Sequence, residues 1–235
     1  MPELDIQNRL EQVNYRIDKA CTQCGRDPKS VLLLAVSKTK PLNMIKAAID
    51  CGQLHFGENY LQDALAKITT LPSKEVIWHF IGAIQSNKTR QIADHFDWVH
   101  TVSSLKIARR LNEQRAKALP PINILIQVNI DEEEDKSGVI PSQLEMLVTE
   151  IISLCQDGAQ IKLRGLMAIP SQDQAADNNA FTRLATLRAE VATKFQLEGF
   201  DQLSMGMSAD LDLAIAAGST IVRVGTDIFG SRGSK

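Results

Sequence analysis

The sequence has few of the features that mark secreted, membrane-embedded or nucleic-acid-binding proteins. It contains only 4 cysteines in 235 residues, and its net charge is −2. So few cysteines fit a reduced compartment, and so small a charge gives no reason to expect nucleic acid or an anionic membrane as a partner. No apolar stretch approaches the ~20 residues of a membrane-spanning helix, and the acidic residues at 1–5 start no signal core. We expect a cytoplasmic protein.

The cysteines and acidic residues also lack the spacing of a metal site. Cys21 and Cys24 form a C-x-x-C pair, but no second pair or nearby histidine cluster could complete a zinc site. No strand precedes the pair, as a thioredoxin-like motif would require. The acidic run at 131–135 is contiguous, so its carboxylates spread over both sides of the chain. We therefore expect no metal.

The hydrophobic pattern predicts alternating strands and helices. Residues 4–24 have apolar positions spaced by three and four, which predicts an amphipathic helix. Short apolar runs then predict strands at 31–36, 54–56, 76–81, 98–102, 122–129, 161–166, 202–205 and 220–224. Helical patterns between them cover 42–51, 60–70, 87–96, 104–118, 141–156, 175–196 and 208–217.

Eight strands joined by crossovers, without hairpin turns, indicate a parallel sheet. Such a sheet can be open and doubly wound, or closed. No G-x-G-x-x-G follows the first strand, where a dinucleotide-binding sheet would have it, and a closed barrel typically takes ~250 residues. We predict one α/β domain over residues 1–235: a (β/α)8 TIM barrel at 31–230 with an extra N-terminal helix at 4–24.

Lys38 is the first candidate for chemistry. It follows the all-apolar run at 31–36, so it lies where a packed core opens at the C-terminal rim of the barrel. An ammonium in a partly desolvated site loses its proton readily, and a neutral lysine amine attacks aldehydes to form a Schiff base. A lysine at such a position is more often a solvated loop residue, so Lys38 is a candidate whose case depends on the rest of the chain.

The last two strands supply material for binding a phosphate. In an eight-stranded barrel, strand 8 lies beside strand 1, and phosphate sites are often built by the loops after strands 7 and 8. Ser208 is the expected N-cap of a helix at 209–217, and small Gly225 and Thr226 would let backbone N–H groups approach an anion. At the end of strand 2, Asn59 could donate to a ring oxygen. These residues indicate a phosphorylated aldehyde, which leaves a Schiff-base aldolase acting on a sugar phosphate open.

Several motifs closely resemble the pyridoxal phosphate homeostasis protein family. They extend over nearly the whole chain and are Ala35-Val-Ser-Lys38, Phe56-Gly-Glu-Asn59, His79-Phe-Ile-Gly with Gln85-Ser-Asn-Lys88, Lys136-Ser-Gly138, Leu203-Ser-Met-Gly-Met-Ser208-Ala-Asp210 and Val222-Arg-Val-Gly-Thr-Asp-Ile-Phe-Gly230. One departure is Ala83, where the family usually has proline.

The resemblance implies a barrel like the N-terminal domain of alanine racemase, with pyridoxal 5′-phosphate as cofactor. Lys38 would hold the cofactor as a Schiff base, and Arg223 would approach the pyridine nitrogen. The predicted cofactor-binding residues are Lys38, Asn59, Met205, Gly206, Ser208, Arg223, Gly225 and Thr226. No catalytic residue is predicted.

The same resemblance implies a non-catalytic carrier that buffers or delivers the cofactor, with pyridoxal-phosphate-dependent apo-enzymes as partners. Racemases take a tyrosine from a partner's second domain, and this chain stops at Lys235, just after the eighth strand. We therefore expect a monomer. The alternative is a racemase of weak or narrow activity that uses Lys38 with Tyr60 or His79.

Overall fold

The computed structural model describes residues 2–71, 75–155, 158–171 and 179–231. The start of the helix predicted at 175–196 and the end of the one predicted at 141–156 lie outside these ranges. Within them the strands are β1 Leu32–Val36, β2 His55–Glu58, β3 Ile77–Phe80, β4 Trp98–Val102, β5 Ile122–Gln127, β6 Ile161–Met167, β7 Gln202–Met207 and β8 Ile221–Val224. The helices are α1 Pro2–Gln23, α2 Leu42–Asp50, α3 Leu61–Thr70, α4 Thr89–His95, α5 Leu105–Gln114, α6 Pro141–Leu154, α7 Ala180–Lys194, α8 Leu211–Ala216 and α9 Thr226–Phe229.

The eight strands form a closed parallel barrel in chain order, with β1 hydrogen-bonded to β8. This confirms the predicted fold class and all eight predicted strands. Leu34 pairs with Arg223 across the closure, so the ends of the first and last strands open onto the same part of the rim. That adjacency decides where a binding site can form.

The barrel strands pack against two separate hydrophobic cores, one on each face of the sheet. One small cluster fills the barrel interior and includes Leu34, Val36, Leu125 and Met167. A larger cluster lies between the strands and the surrounding helices. Burial on both sides explains why a strand such as β1, Leu32–Val36, is a continuous apolar run rather than an alternating one.

Helix α1 is held against the outside of the barrel. Its apolar stripe is buried and packs on the α2, α8 and α9 side of the molecule; the stripe consists of Ile6, Leu10, Val13, Ile17 and Ala20. The predicted extra N-terminal helix is thus confirmed. Its apolar face is covered by the chain's own helices.

The predicted start of α8 is wrong. Its N-cap is Asp210, and Ser208 lies two residues earlier in a turn. The Asp210 carboxylate accepts a hydrogen bond from the Met207 amide at 2.6 Å, and the Asp210 amide donates to the Met207 carbonyl at 3.1 Å. Because these bonds close a turn over residues 207–210, the helix starts only after it. Ser208 is therefore a loop residue that faces the rim.

Candidate functional site: a cleft at the carboxyl ends of the strands

A cleft of about 320 Å³ opens at the rim where β8 meets β1. The loops after β1, β2, β3, β6, β7 and β8 all contribute to it. Its lining residues are Val36, Lys38, Lys40, Asn59, Ile81, Ile169, Met207, Ser208, Ala209, Arg223, Gly225, Thr226 and Gly230. The cleft thus combines apolar walls with a few polar groups, which is the usual composition of a small-molecule site.

The backbone on both sides of Lys38 is fixed from below by α3. The buried ammonium of Lys67 donates to the Ser37 carbonyl at 2.8 Å, and the Asp63 carboxylate accepts a hydrogen bond from the Thr39 amide at 2.9 Å. Thr39 has a φ of 62°, a left-handed conformation that is uncommon for a residue other than glycine. These contacts hold the turn in which Lys38 reaches the cleft, half-buried.

Arg223 forms the floor of the cleft. Its guanidinium is buried and donates from Nη1 to the Ser204 hydroxyl and from Nη2 to the Ala168 carbonyl, both at 2.9 Å. Burial lowers the pKa of Arg223 to about 10, with Asp210 opposing the shift, so the side chain keeps its positive charge at neutral pH. Among the described residues, the remaining guanidinium N–H groups have no acceptor. They are available to a ligand.

Part of the cleft lining consists of small and hydroxyl-bearing residues. Gly225 precedes α9 and lies against β1, where a Cβ would come within 3.1 Å of the Val36 carbonyl oxygen. A side chain there would crowd the barrel closure, so glycine leaves the backbone accessible. Ser208 and Thr226 flank it on the cleft surface.

Arg16 of α1 ties the two loops of this part of the lining together. Its guanidinium donates to the Ser208 carbonyl, forms an ion pair with Asp212 through Nε at 2.8 Å, and lies 3.7 Å from the Asp227 carboxylate. The first two contacts belong to the segment after β7 and the third to α9. The extra N-terminal helix therefore sets the relative position of Ser208 and Thr226.

Asn59 has a buried side-chain oxygen without a hydrogen-bond partner among the described residues. It lies between the cleft and a neighbouring cavity of about 410 Å³, whose lining includes Tyr60 and Lys88. A buried polar atom without a partner is unfavourable by ~1–3 kcal/mol. A ligand group in the cleft could satisfy it.

Not every predicted residue reaches the cleft. Met205 and Gly206 are absent from the described lining, and Met205 is buried in the core between strands and helices. Alternation along β7 explains Met205, because Ser204 faces the interior and the next side chain must face outward. Gly206 lies in the irregular part of the strand, where an added Cβ would meet Ala214 of α8. Met207 lines the cleft instead, after a register shift between Ser204 and Met207. The sequence signal that could have indicated this irregularity is Gly206, a glycine inside the strand with a φ of 90°.

The two residues considered as alternative bases lie elsewhere. Tyr60 is half-exposed and lines the neighbouring cavity. His79 is fully buried in the barrel interior, where it contacts His55 and His100. In the part of the chain that the structure describes, neither residue lines the cleft that holds Lys38 and Arg223.

The fold and the cleft define a known class of barrel. The chain forms a parallel eight-stranded barrel with Lys38 after its first strand and Arg223 in its last. Its sequence matches the model of the alanine racemase N-terminal domain family over residues 9–233.

Among described residues, no helix is both long and apolar enough to cross a membrane.

Comparisons with individual proteins narrow the class. The chain is 47% identical to the pyridoxal phosphate homeostasis protein of Escherichia coli strain K12 over 97% of both chains, and 50% identical to that of Vibrio cholerae over 97% of this chain and 96% of the relative. The structure of PipY from Synechococcus elongatus with PLP bound superimposes with a TM-score of 0.81 at 35% identity, covering 96% of this chain and 100% of PipY. The chain belongs to the pyridoxal phosphate homeostasis protein family.

Proposed function

We propose that this chain binds pyridoxal 5′-phosphate reversibly at Lys38 and acts as an intracellular carrier of the cofactor rather than as an enzyme. The observation behind the proposal is that Lys38 and Arg223 line one cleft whose lining also includes Ser208, Gly225 and Thr226. A primary amine, a fixed cation and a small-residue lining are the groups that an aldehyde, a ring nitrogen and a phosphate would need.

The residues present fit this cofactor. Within the described part of the chain, Asn59 offers a buried polar atom without a partner, and Arg223 has N–H groups without an acceptor. When bound, the cofactor supplies an aldehyde that a lysine amine can hold as a Schiff base. Lys38 would supply that amine, Arg223 would face the pyridine nitrogen, and Ser208, Gly225 and Thr226 would hold the phosphate.

Arg223 favours a carrier over most enzymes that use this cofactor, although a racemase would tolerate it. An arginine can only donate hydrogen bonds and stays protonated, so it discourages protonation of a ring nitrogen that faces it. An unprotonated pyridine is a poorer electron sink, and most amino-acid chemistry of this cofactor depends on that sink. Two fixed acceptors, Ser204 and Ala168, hold the guanidinium in place.

The cleft also offers little for proton transfer to a substrate. Apart from Lys38 and Arg223, the titratable side chain in its described lining is Lys40. The Lys40 ammonium donates to the carbonyls of Phe229, Gly230 and Ser231 at 2.9–3.0 Å. A racemase needs acid–base groups on both faces of its substrate. Weak racemase activity would therefore depend on Lys38 alone or on a partner's side chain.

We propose that the carrier is a cytoplasmic monomer that serves enzymes. The cysteines at 21, 24, 51 and 155 are all free, which agrees with a reducing cytoplasm. The apolar stripe of α1 is covered within the chain, which agrees with a monomer. The proposed recipients are apo-enzymes that depend on this cofactor.

The first experiment is an absorbance spectrum of the purified protein with added pyridoxal 5′-phosphate, followed by borohydride reduction and peptide mass mapping. The proposal expects a yellow protein and a reduced pyridoxyl adduct on Lys38. The K38A variant should lose the adduct, whereas K46A, which removes an exposed lysine of α2, should keep it. A protein that stays colourless and unmodified would overturn the proposal and favour a Schiff-base aldolase.

A second experiment separates carrier from racemase. The loaded protein is incubated with L-alanine and other L-amino acids, and the products are resolved by chiral chromatography. A carrier leaves the enantiomeric composition unchanged. Turnover that disappears in K38A would make the protein a racemase.

A further inference from the structure

Three histidines form a continuous hydrogen-bonded chain through the barrel interior to Arg223. Nδ1 of His55 lies 3.0 Å from Nε2 of His79, and Nδ1 of His79 lies 2.9 Å from Nε2 of His100. Nδ1 of His100 lies 2.9 Å from the Ser204 hydroxyl, which accepts from Arg223. The chain thus extends from β2 through β3, β4 and β7 to the floor of the cleft on β8.

The environment keeps the chain uncharged. His79 and His100 have no exposed surface, and His55 is half-buried. Burial is the main cause that lowers the pKa of all three; His100, which also lies near the Arg223 cation, has its pKa lowered from 6.5 to about 3. The indole of Trp98 stacks on the His79 ring at an interplanar angle of 10°, which fixes the orientation of the central member.

Hydrogen-bond chemistry then decides which nitrogen of each ring carries the proton. Arg223 can only donate, so it uses the Ser204 oxygen as an acceptor. The Ser204 hydrogen needs an acceptor of its own, and within the described residues that is Nδ1 of His100. His100 must then carry its proton on Nε2 and donate to His79, which in turn donates from Nε2 to His55.

The opposite polarity is unfavourable. If His100 carried its proton on Nδ1, both Arg223 and His100 would donate to the same Ser204 oxygen. The buried Ser204 hydroxyl would then lack an acceptor among the described residues, at a penalty of ~1–3 kcal/mol. The permanent charge of Arg223 at one end therefore sets the tautomer of every ring up to His55.

We propose that His55, His79 and His100 form a polarised chain of Nε2-protonated imidazoles, and that His100 and Ser204 are positioning residues that orient Arg223 toward the cofactor. The assignment of tautomers needs only the geometry of the chain. The role of Arg223 as the group facing the ring rests on the proposed function.

The tautomers are measured directly by long-range ¹⁵N–¹H NMR of the ¹⁵N-labelled protein without added cofactor. The inference expects neutral rings protonated on Nε2 at His55, His79 and His100 at pH 7. A proton on Nδ1 of His100, or a charged ring in the chain, would overturn it. Because this spectrum needs no bound ligand, it is decisive even if the protein fails to take up pyridoxal 5′-phosphate and the proposed function is wrong.

The positioning role is tested with two substitutions at one residue. H100N keeps a hydrogen-bond acceptor at the place of Nδ1, whereas H100L removes it. We expect H100L to bind pyridoxal 5′-phosphate about tenfold more weakly, the equivalent of one buried hydrogen bond, and H100N to recover most of the affinity. H95N, outside the chain, should bind like the wild type.

Thermal unfolding confirms beforehand that each variant is folded. If H100L binds with wild-type affinity, or if folded H100N and H100L lose affinity equally, the positioning role is refuted and the histidines are packing residues. S204A supplies an independent check, because it removes the oxygen that Arg223 uses while leaving His100 in place. Wild-type affinity in folded S204A would refute the role as well.

Discussion

The ammonium of Lys67 lies 2.8 Å from Oε1 of Glu58, with both side chains buried between the barrel and α3. Burial raises the pKa of Glu58, while the hydrogen bond from Lys67 opposes the shift. The same ammonium donates to the carbonyl of Ser37, the residue before Lys38. A buried ion pair thus lies directly under Lys38, the residue we propose to hold the cofactor.

Removing one partner of this pair should destabilise the fold strongly. In K67M the Glu58 carboxylate loses its counter-charge in a buried site, and we expect the free energy of unfolding to fall by about 3 kcal/mol or more. Urea titration followed by circular dichroism measures it. K46M, on the surface of α2, should change it by less than about 0.5 kcal/mol.

A second substitution distinguishes lost charge pairing from lost packing. The double variant E58Q/K67M removes both charges and should regain part of the stability lost in K67M. If the double variant is as unstable as the sum of both single variants, the Lys67–Glu58 interaction is not the source of the effect.

Acidification should destabilise the protein through His100. Its pKa is about 3 in the native state and 6.5 ordinarily, so below pH 6.5 the unfolded chain binds a proton that the native state does not. The stabilising effect is complete above pH 6.5 and is lost as the pH falls toward 3. Between pH 8 and pH 5 this amounts to about 2 kcal/mol.

The measurement is urea unfolding of the wild type and of H100N across this pH range. The difference in unfolding free energy between them should shrink as the pH falls. Glu58, whose pKa is raised, acts in the opposite direction, and His55 and His79, whose pKa values are lowered, act in the same direction as His100. All three are present in both proteins, so the comparison reports on His100. Parallel pH profiles for the two proteins would contradict the assignment to His100.

Arg16 should affect binding from outside the cleft. R16Q removes its hydrogen bond to the Ser208 carbonyl and its ion pair with Asp212. We expect the Kd for pyridoxal 5′-phosphate to rise about fivefold, as for the loss of roughly 1 kcal/mol of positioning. Fluorescence titration measures it. K19Q, exposed on the same helix, should leave the Kd unchanged, and an equal effect in both variants would exclude a specific role.

Gly206 should tolerate no side chain. Its φ is +90°, and an added Cβ would lie 2.5 Å from the Cβ of Ala214. G206A therefore combines backbone strain of ~1 kcal/mol or more with a steric clash of ~1–3 kcal/mol. Gly218 has a similar φ of +101° but open space around it, so G218A should incur the strain alone. Equal destabilisation of the two variants in urea titrations would refute the clash.

The sequence by itself determined the strand and helix layers of this protein and the position of Lys38 at the rim of the barrel. The clearest strands, such as β1 and β5, follow from nearly continuous apolar runs, because they are buried on two faces. The short β2, His55–Glu58, has only a weak apolar pattern. Lys38 follows the first of these runs, so its place at the rim depends only on strand direction and chain order. The motifs around it also identified the family.

Only the tertiary structure decided which side chains share a face of the barrel. The start of α8 shifted because Asp210 bonds back to Met207, and Met207 rather than Met205 reached the cleft through a bulge in β7. Both outcomes depend on hydrogen bonds that compete with regular strand or helix geometry. The local hydrophobic pattern does not record them.

The histidine chain is the clearest case. His55, His79 and His100 are each separated by more than 20 residues from the next, and Ser204 follows His100 after another 104. They meet because the neighbouring strands β2, β3 and β4 each contribute a histidine to the chain, and closure of the barrel brings Ser204 of β7 against His100 of β4 across the interior. Sequence periodicity reports which face a residue takes within its own strand, whereas contact between strands depends on register and closure.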